Sequence, residues 1–543
     1  MVLKNSLNIF IGIFFLIINK LRTIYLNSKI YNNKISKISE NTLNYRPSLD
    51  ILSCLFKYEN KPKNINEYIL NSIWKDSRIS KKESKKLNSF FWLFTLDLKS
   101  SKKNTQSVIL NWIDANQNYT QNNWEVDTLS RRIIAWISNS KLTYEESSET
   151  YKTKFNFIIK KQINHLINEI NRSQHLNDKM IGCTAIVLAG ISYDDKKILD
   201  YGLNLLKNIC NISFDTQGFP KSRSFRQLVF YLKYLITIRE FLKESQNIVP
   251  DYLNEHIFYL GQSYNFIWQT TKKNYLFNGN HKVNHETFDR YLLTKGYKFK
   301  NKLLENGGYA LLKNKNVSIM MDIGQTPEKK FCKDFQSGAL SFEMFYAGDK
   351  IISNSGYFQN LNHRLNFISR STVSHSTLTI DNSSICKFKR GSNGNIFIEN
   401  NYKTFSKKII FEKNYWSLKG SHDGYHKKYG VIHSRELEFF PEAILLKGKD
   451  ILLKKKKSKN INFEIRFHFS PETKVTKTQN EKSILLEFEN SGWRFTCNNY
   501  NINIETGLYF GNKNKFSENQ NIYISGIIDD DSQAINWELK LIK

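Results

Sequence analysis

A chain of 543 residues is too long to close around one hydrophobic core, so at least two domains are expected. A hydrophobic content of 40%, rich in aromatics, excludes global disorder. The net charge of +30 is spread along the chain; it makes an acidic polymer a more natural partner than a basic one, and the lack of any basic arm, finger or RNA module argues against nucleic acid.

The six cysteines are scattered and form no CxxC, which excludes zinc-finger and redox spacings. At the N-terminus, Lys4 precedes an apolar run from Leu7 to Ile18, followed by Lys20, Arg22, Lys29 and Lys34 rather than a small-x-small cleavage site. The run is short for a membrane span. It has three readings: an uncleaved anchor, an interfacial helix in contact with a membrane, or a first core helix. Residues 1–85 form this leader together with a polar, poorly patterned region that is Lys-rich around Lys81–Lys86.

Helical texture occupies residues 86–277. Phe90–Leu98 is apolar, and Trp112 sits in a second short helix. In WEVDTLSRRIIAWI, Ile133 and Trp136 share a helical face. From Tyr151 to Ile170, Phe155, Ile158, Ile159, Ile163, Leu166 and Ile170 recur at steps of three and four. The nearly all-apolar run 180–191 reads as a buried helix containing Cys183, and 201–212, 224–242 and 253–271 complete the series. Such short connections imply antiparallel helical hairpins.

The polar stretch 278–306 reads as a linker. Residues 307–543 then show turns about every ten residues and strand patterns. Ile461, Phe463, Ile465, Phe467 and Phe469 alternate, as do Ile535, Trp537, Leu539 and Leu541. The run Lys454–Lys457 reads as a solvated turn. Many antiparallel strands of this kind imply a sandwich. The fold class is therefore multidomain α+β, helices first and an antiparallel β-sandwich second.

Within the β part, RSTVSHSTLTID (370–381) reads as a strand with Leu378 and Ile380 on one face and His375, Thr377 and Thr379 on a polar face. His375 has a bland alternative, a histidine on a half-buried strand.

The strings WEVDTLSRRIIAWI, SQHLNDKMIGCTAIVLAG, GALSFEMFYAGDKIISNSG, RSTVSHSTLTID and SHDGYHKKYGVIHSREL, in this order, resemble the heparinase II/III family of polysaccharide lyases over roughly residues 90–540. The resemblance implies an incomplete (α/α) toroid over 86–277, a heparinase II/III-like β-domain over 307–543, and a substrate groove between them. It implies β-elimination on a uronate-containing glycan, the acidic polysaccharide partner, with no required cofactor. Large anionic glycans lie outside the cytoplasm, which favours the periplasm or cell envelope, while the missing cleavage site argues the other way, for a cytoplasmic or membrane-anchored chain. The rival is a non-catalytic glycan-binding or envelope polysaccharide assembly protein on the same fold.

β-Elimination needs a group that neutralises the uronate carboxylate, a base for the C5 proton and an acid for the leaving oxygen. By resemblance, His375 matches the β-domain histidine. Gln174 and His175 match an Asn-His pair of the toroid, with Gln in place of Asn. Where the family carries a toroid tyrosine, this chain has Phe225, Arg226 and Gln227; Tyr231 and Tyr234 lie further along. Tyr425 in HDGY is a candidate replacement phenol, or else a turn tyrosine packed on the sheet. Arg370 is a candidate carboxylate contact, and Arg131, Arg132, Lys221 and Arg223 would line the toroid side. Trp124, Trp136 and Tyr425 suit sugar stacking, although such tryptophans are more often core. Glu343 is a candidate groove residue, and Gln336 stands where many relatives have a histidine. Some relatives hold a structural zinc; the candidates here are His375, His422, Asp423 and His433. His433 shares its face with Val431, Leu437 and Phe439, so burial without metal is equally natural.

Overall fold

The computed structural model describes residues 14, 16–48, 52, 79–96, 101–391, 396–455, 460–479, 483–513 and 515–543. The first half of the apolar N-terminal run and the end of Lys454–Lys457 lie outside them. The chain divides into two units. The described residues of Met1–Ile212 join Tyr231–Ile257, and Ser213–Phe230 joins Phe258–Lys543.

The first unit is helical. Ser101 caps the helix Lys102–Ala115 by accepting from Asn104 N–H, and Ser148 caps Glu149–Glu169 by accepting from Tyr151 N–H. The three-and-four pattern of the latter helix buries Phe155, Ile158, Ile159, Ile163 and Leu166, as its periodicity requires. Leu176–Ser192 is buried on all sides from Met180 onward. Two glycines permit this: a Cβ on Gly182 would stand 2.5 Å from Ile170 Cδ1, and one on Gly190 would stand 2.6 Å from the Leu199 backbone nitrogen. The helices Lys196–Ser213, Phe225–Glu244 and Asp251–Tyr264 follow.

Three expectations about this half change. The segment after Phe90 is a 3-10 turn, Phe91–Thr95, entered through a left-handed Phe90 whose ring packs edge-on to Trp136 at 5.1 Å. The leader is not wholly unpatterned. Residues 16–26 are helical, with Leu16, Ile17, Leu21 and Ile24 exposed, and Lys29–Ile35 and Lys81–Asn88 are helices. The Lys-rich piece owes its helix to a capping box between Ser80 and Glu83. Among the described residues no helix is long and apolar enough to cross a membrane.

The stretch 278–306 is not a free linker. It contains the helix Glu286–Thr294, whose Asp289 accepts from Tyr264 Oη, Trp268 Nε1 and Gln269 Nε2, each at 2.9 Å. Four donors converge there, Lys272 Nζ included, and fix the segment to the turn Asn265–Gln269.

The second unit is built of antiparallel sheets. One runs in the order Glu305–Asn306, Tyr309–Lys313, Val317–Asp322, Phe342–Tyr346, Asp349–Ile352. An eight-stranded sheet runs Lys474–Lys477, Ser483–Glu487, Gly492–Cys497, Ser532–Leu541, Leu445–Lys454, Val431–Phe440, Trp416–His422, Thr404–Phe411. A four-stranded sheet runs Ile502–Tyr509, Ser517–Ile528, Ile461–Phe467, Leu378–Ile380. The three share a core around Trp537. Its ring meets Phe342 at 5.8 Å, Phe467 at 4.8 Å and Phe495 at 5.7 Å, one partner from each sheet.

Candidate active site

The stretch 370–381 is not one strand. Arg370 ends a helix, Arg364–Arg370; Thr372–Ser374 is a 3-10 turn; only Leu378–Ile380 is strand. Ile380 pairs with Phe463 and Leu378 with Ile465. Both faces of the strand are buried. The polar face is satisfied from inside the fold: Thr377 Oγ1 donates to Ala339 O at 2.8 Å, and Arg466 reaches Thr379 Oγ1 at 2.8 Å. Alternation identified the two faces, but the carbonyls of neighbouring loops take the place of water.

His375 follows the 3-10 turn and is only 1% exposed, where the sequence implied a polar groove face. Its Nδ1 lies 2.9 Å from Ser371 O, a carbonyl that can only accept, so Nδ1 carries the hydrogen and Nε2 keeps its lone pair. Nε2 is buried with no hydrogen-bond partner. Burial lowers the imidazole to about 4, so it is neutral near pH 7.

The other buried histidines show why this matters. His165 accepts from Tyr31 Oη at 2.8 Å and donates to Trp124 O at 3.1 Å. His468 accepts from Ser355 Oγ at 3.2 Å and donates to Val373 O at 2.9 Å. Gly424 N–H donates to His422 Nδ1 at 3.1 Å, His422 Nε2 donates to His433 Nδ1 at 3.2 Å, and His433 Nε2 donates to Asp450 at 2.7 Å. These four rings use both nitrogens. Of the six buried histidines, only His375 and His281 keep one nitrogen without a partner among the described residues.

The zinc candidates are not assembled as a ligand set. His422 and His433 are neighbours, but their nitrogens are consumed in the chain just described. Asp423 accepts from Lys403 N–H at 2.7 Å on the following turn. Among the described residues no group of three or more His, Cys, Asp or Glu is arranged to hold a metal ion. The donors present do not fit a metal.

Several other sequence candidates are in the core. Arg370 is fully buried and donates to Asn366 Oδ1 at 2.8 Å, Phe335 O at 2.9 Å and Tyr357 Oη at 2.6 Å. Arg132 is fully buried over Trp112 and donates to Gln162, Asn88 O and Asn123 O. Arg131 pairs with Asp127 at 2.7 Å. Arg223 pairs with Asp322 at 2.5 Å and holds the carbonyls of Gly307, Gly308 and Gln325. It floors a cleft of about 540 Å³ lined by Asp215, Lys221, Glu305, Thr326 and Lys407. Glu343 is fully buried against Lys350 at 2.7 Å and accepts from two backbone N–H groups, those of Leu276 and Asn354. Tyr425 Oη donates to Leu378 O at 3.0 Å and lies 3.2 Å from Ser383 O, which makes it the packed turn tyrosine. Trp124 and Trp136 are core residues, as are Tyr231 and Tyr234. A guanidinium or ring committed in this way is not available to a substrate.

Gln174 is exposed and His175 half-buried, in the first unit. His175 is the N-cap residue of Leu176–Ser192, in extended conformation and without a side-chain capping bond. Phe225, the first of the three residues nearest the tyrosine that the resemblance implies, is buried against Tyr309 at 4.7 Å. Gln336 is spent on Gly356 O, Ser369 O and Gly279 N–H. The sequence reading passed over His281, inside its linker; the structure sets it against Gln359, Nδ1 to Nε2 at 2.8 Å. The signal was present in the Asn278-Gly279 turn, which throws the chain back just before the histidine.

The family model described as heparinase II/III-like, C-terminal, matches residues 298–538. No curated protein sequence matches the chain. Among solved structures, the heparan sulfate lyase HepC of Pedobacter heparinus aligns with TM-score 0.64 and 14% identity, covering 91% of this chain and 82% of that one. A heparinase III aligns with TM-score 0.67 and 15% identity over 94% of this chain and 88% of that one. A xanthan lyase of Paenibacillus aligns with TM-score 0.50 and 8% identity over 88% of this chain and 57% of that one. At such identities these likenesses speak to the fold, a helical toroid followed by a β-sandwich domain of the polysaccharide-lyase type. Residues 298–538 of the β-unit thus carry a heparinase II/III-like C-terminal domain.

Proposed function

We propose that this protein is a polysaccharide lyase that cleaves an acidic, uronate-containing glycan by β-elimination. The observation that carries the reading is the open Nε2 of His375. Leaving a buried polar atom unpaired costs about 1–3 kcal/mol, so such an atom calls for a role other than packing. Its tautomer gives it a lone pair, and its neutrality makes it competent as a base.

In the reaction a base removes the C5 proton, the electron pair forms the C4–C5 double bond, the C4–O bond breaks, and an acid protonates the departing oxygen. His375 takes one of the two proton-transfer roles. The same reading puts the protein in the cell envelope, where such polymers lie.

A second reading, glycan binding without turnover, is favoured by two observations. Phe225, one of the three residues nearest the tyrosine that the resemblance implies, is buried against Tyr309, and the Tyr425 phenol is spent on Leu378 O. The test is a panel of heparan sulfate, alginate, chondroitin and bacterial exopolysaccharides, followed by the ultraviolet absorbance of the new double bond. A rise that is lost in His375→Ala supports the lyase. A flat trace with binding retained overturns it in favour of the binding protein.

A further inference from the structure

His281 and its surroundings form a second polar centre in the β-unit, remote in sequence from the residues just assigned. The loop Phe277–Lys282 is held at both ends. Asn278 Oδ1 accepts from Gln336 N–H at 3.0 Å, Gly279 N–H donates to Gln336 Oε1 at 3.0 Å, and Lys282 N–H donates to Gly511 O at 2.7 Å. Gly279 has φ +84 and packs on Asp334, where a Cβ would stand 2.6 Å from the aspartate Cβ. No residue with a side chain gives this approach.

Three cationic or donor groups gather around that loop. Asp334 holds Arg226 by its NH2 end at 2.7 Å, and a third of the Arg226 side chain remains exposed (34%). The guanidinium lies over the Tyr357 ring, and Tyr357 Oη in turn lies 3.4 Å from Asp334. The Gly511 anchor ties the segment that carries the exposed Lys513 to the same loop. His281, 7% exposed, accepts the Gln359 amide at Nδ1, so Nε2 carries the hydrogen. That N–H has no partner among the described residues. Burial, Arg226 and Lys513, in that order, lower the imidazole to about 4.

We propose that His281, Arg226 and Lys513, with Gln359 fixing the imidazole, bind an anionic group of a sugar polymer, a carboxylate or a sulfate ester. A neutral N–H donor beside two cations suits such an oxygen cluster, and the buried Asp334 keeps Arg226 in place without neutralising Lys513. This rests on the glycan reading above but names a different set of residues, a specificity site rather than the proton-transfer groups.

The test uses the full chain and the double variant His281→Gln/Lys513→Ala, which leaves the Arg226–Asp334 pair intact. The probes for titration calorimetry are heparan sulfate, its unsulfated backbone polymer, and a carboxyl-reduced sulfated polymer. The expected result is binding of at least one probe by the wild type and about a tenfold or greater rise in Kd in the double variant, at unchanged Tm. Loss confined to the unsulfated polymer identifies the carboxylate as the ligand; loss confined to the carboxyl-reduced polymer identifies the sulfate. Where the wild type turns a probe over, KM rises and kcat stays within about threefold, as for uniform binding. An unchanged Kd in the double variant overturns the site and leaves the lyase reading standing. Binding that is lost in the double variant, with no unsaturated product from the wild type on any polymer of the panel above, supports the site and overturns the lyase reading. No binding of any probe by the wild type overturns the site, and the panel above then decides the lyase reading by itself.

Discussion

His433 donates to Asp450 at 2.7 Å inside the eight-stranded sheet, and neither side chain is exposed to solvent. Arg435 approaches the same carboxylate, Nε to Oδ1 at 2.7 Å, and Trp537 donates to its other oxygen at 2.9 Å. Burial opposes the charge on Asp450, but Arg435 and then His433 outweigh it and hold the carboxyl well below its usual range. The histidines are the neutral members of the network, and Arg435 is its cation.

Asp450→Asn should therefore be among the most damaging single changes. It leaves Arg435 buried without a countercharge, a loss of about 3–5 kcal/mol. Arg435 also donates to Ser376 O at 2.7 Å, next to His375, so turnover should fall with stability. Urea unfolding monitored by tryptophan fluorescence checks this. A loss below about 1 kcal/mol would mean that the network contributes little beyond packing.

Stability should drop steeply in mild acid. His165 and His375 are lowered to about 4 and His468 to about 3, in each case mainly by burial. In the unfolded chain these groups titrate near 6.5. Their contribution is fully present above that value, because both states are then neutral. Below it the unfolded chain binds protons that the folded chain refuses, and the contribution is lost as the pH falls toward 4 and then 3. Each group adds up to about 1.4 kcal/mol per pH unit, roughly 4 for the three together. Denaturation midpoints at pH 7.5 and pH 5 should differ accordingly; equal midpoints would show that the imidazoles are charged in the fold.

The helices and the inward faces of the strands were legible because periodicity reports burial directly. Phe155 to Leu166, and Ile461 to Phe467, lie where their patterns require. The stretch around His375 was legible as chemistry and not as structure. Alternation separates two faces but does not reveal whether the polar one meets water or a carbonyl such as that of Ala339. The arginines failed for the same reason. Nothing local distinguishes Arg370, whose donors end on loop carbonyls, from Arg226, which keeps an exposed edge. His281 was missed because its partner Gln359 lies far away in sequence.

Gly338 offers a way to move His375 without deleting it. A Cβ at Gly338 would stand 2.5 Å from His375 Cδ2 and 3.0 Å from Ser341 Oγ. Gly338→Ala should displace the ring by a fraction of an ångström at an overpacking cost of about 1–3 kcal/mol. If His375 transfers a proton, kcat should fall about 10- to 100-fold while KM is nearly unchanged. Full activity in a folded Gly338→Ala variant would remove His375 from the mechanism.

Tyr425→Phe separates the packed turn tyrosine from the catalytic acid. The hydroxyl bonds to Leu378 O at 3.0 Å and is 1% exposed, and burial pushes the phenol far above its usual range. A phenol so placed gives up its proton neither to water nor to a leaving group. Its bond ties the 423–429 turn to the strand that follows His375, so the variant should lose about 1 kcal/mol, within the range for one buried neutral hydrogen bond. Turnover should stay within about threefold of wild type, because no transition-state contact is lost. The measurement is kcat/KM on the best polymer of the panel, read alongside Tm. A fall of about a hundredfold at unchanged Tm would show that the turn opens and that Tyr425 protonates the leaving oxygen after all.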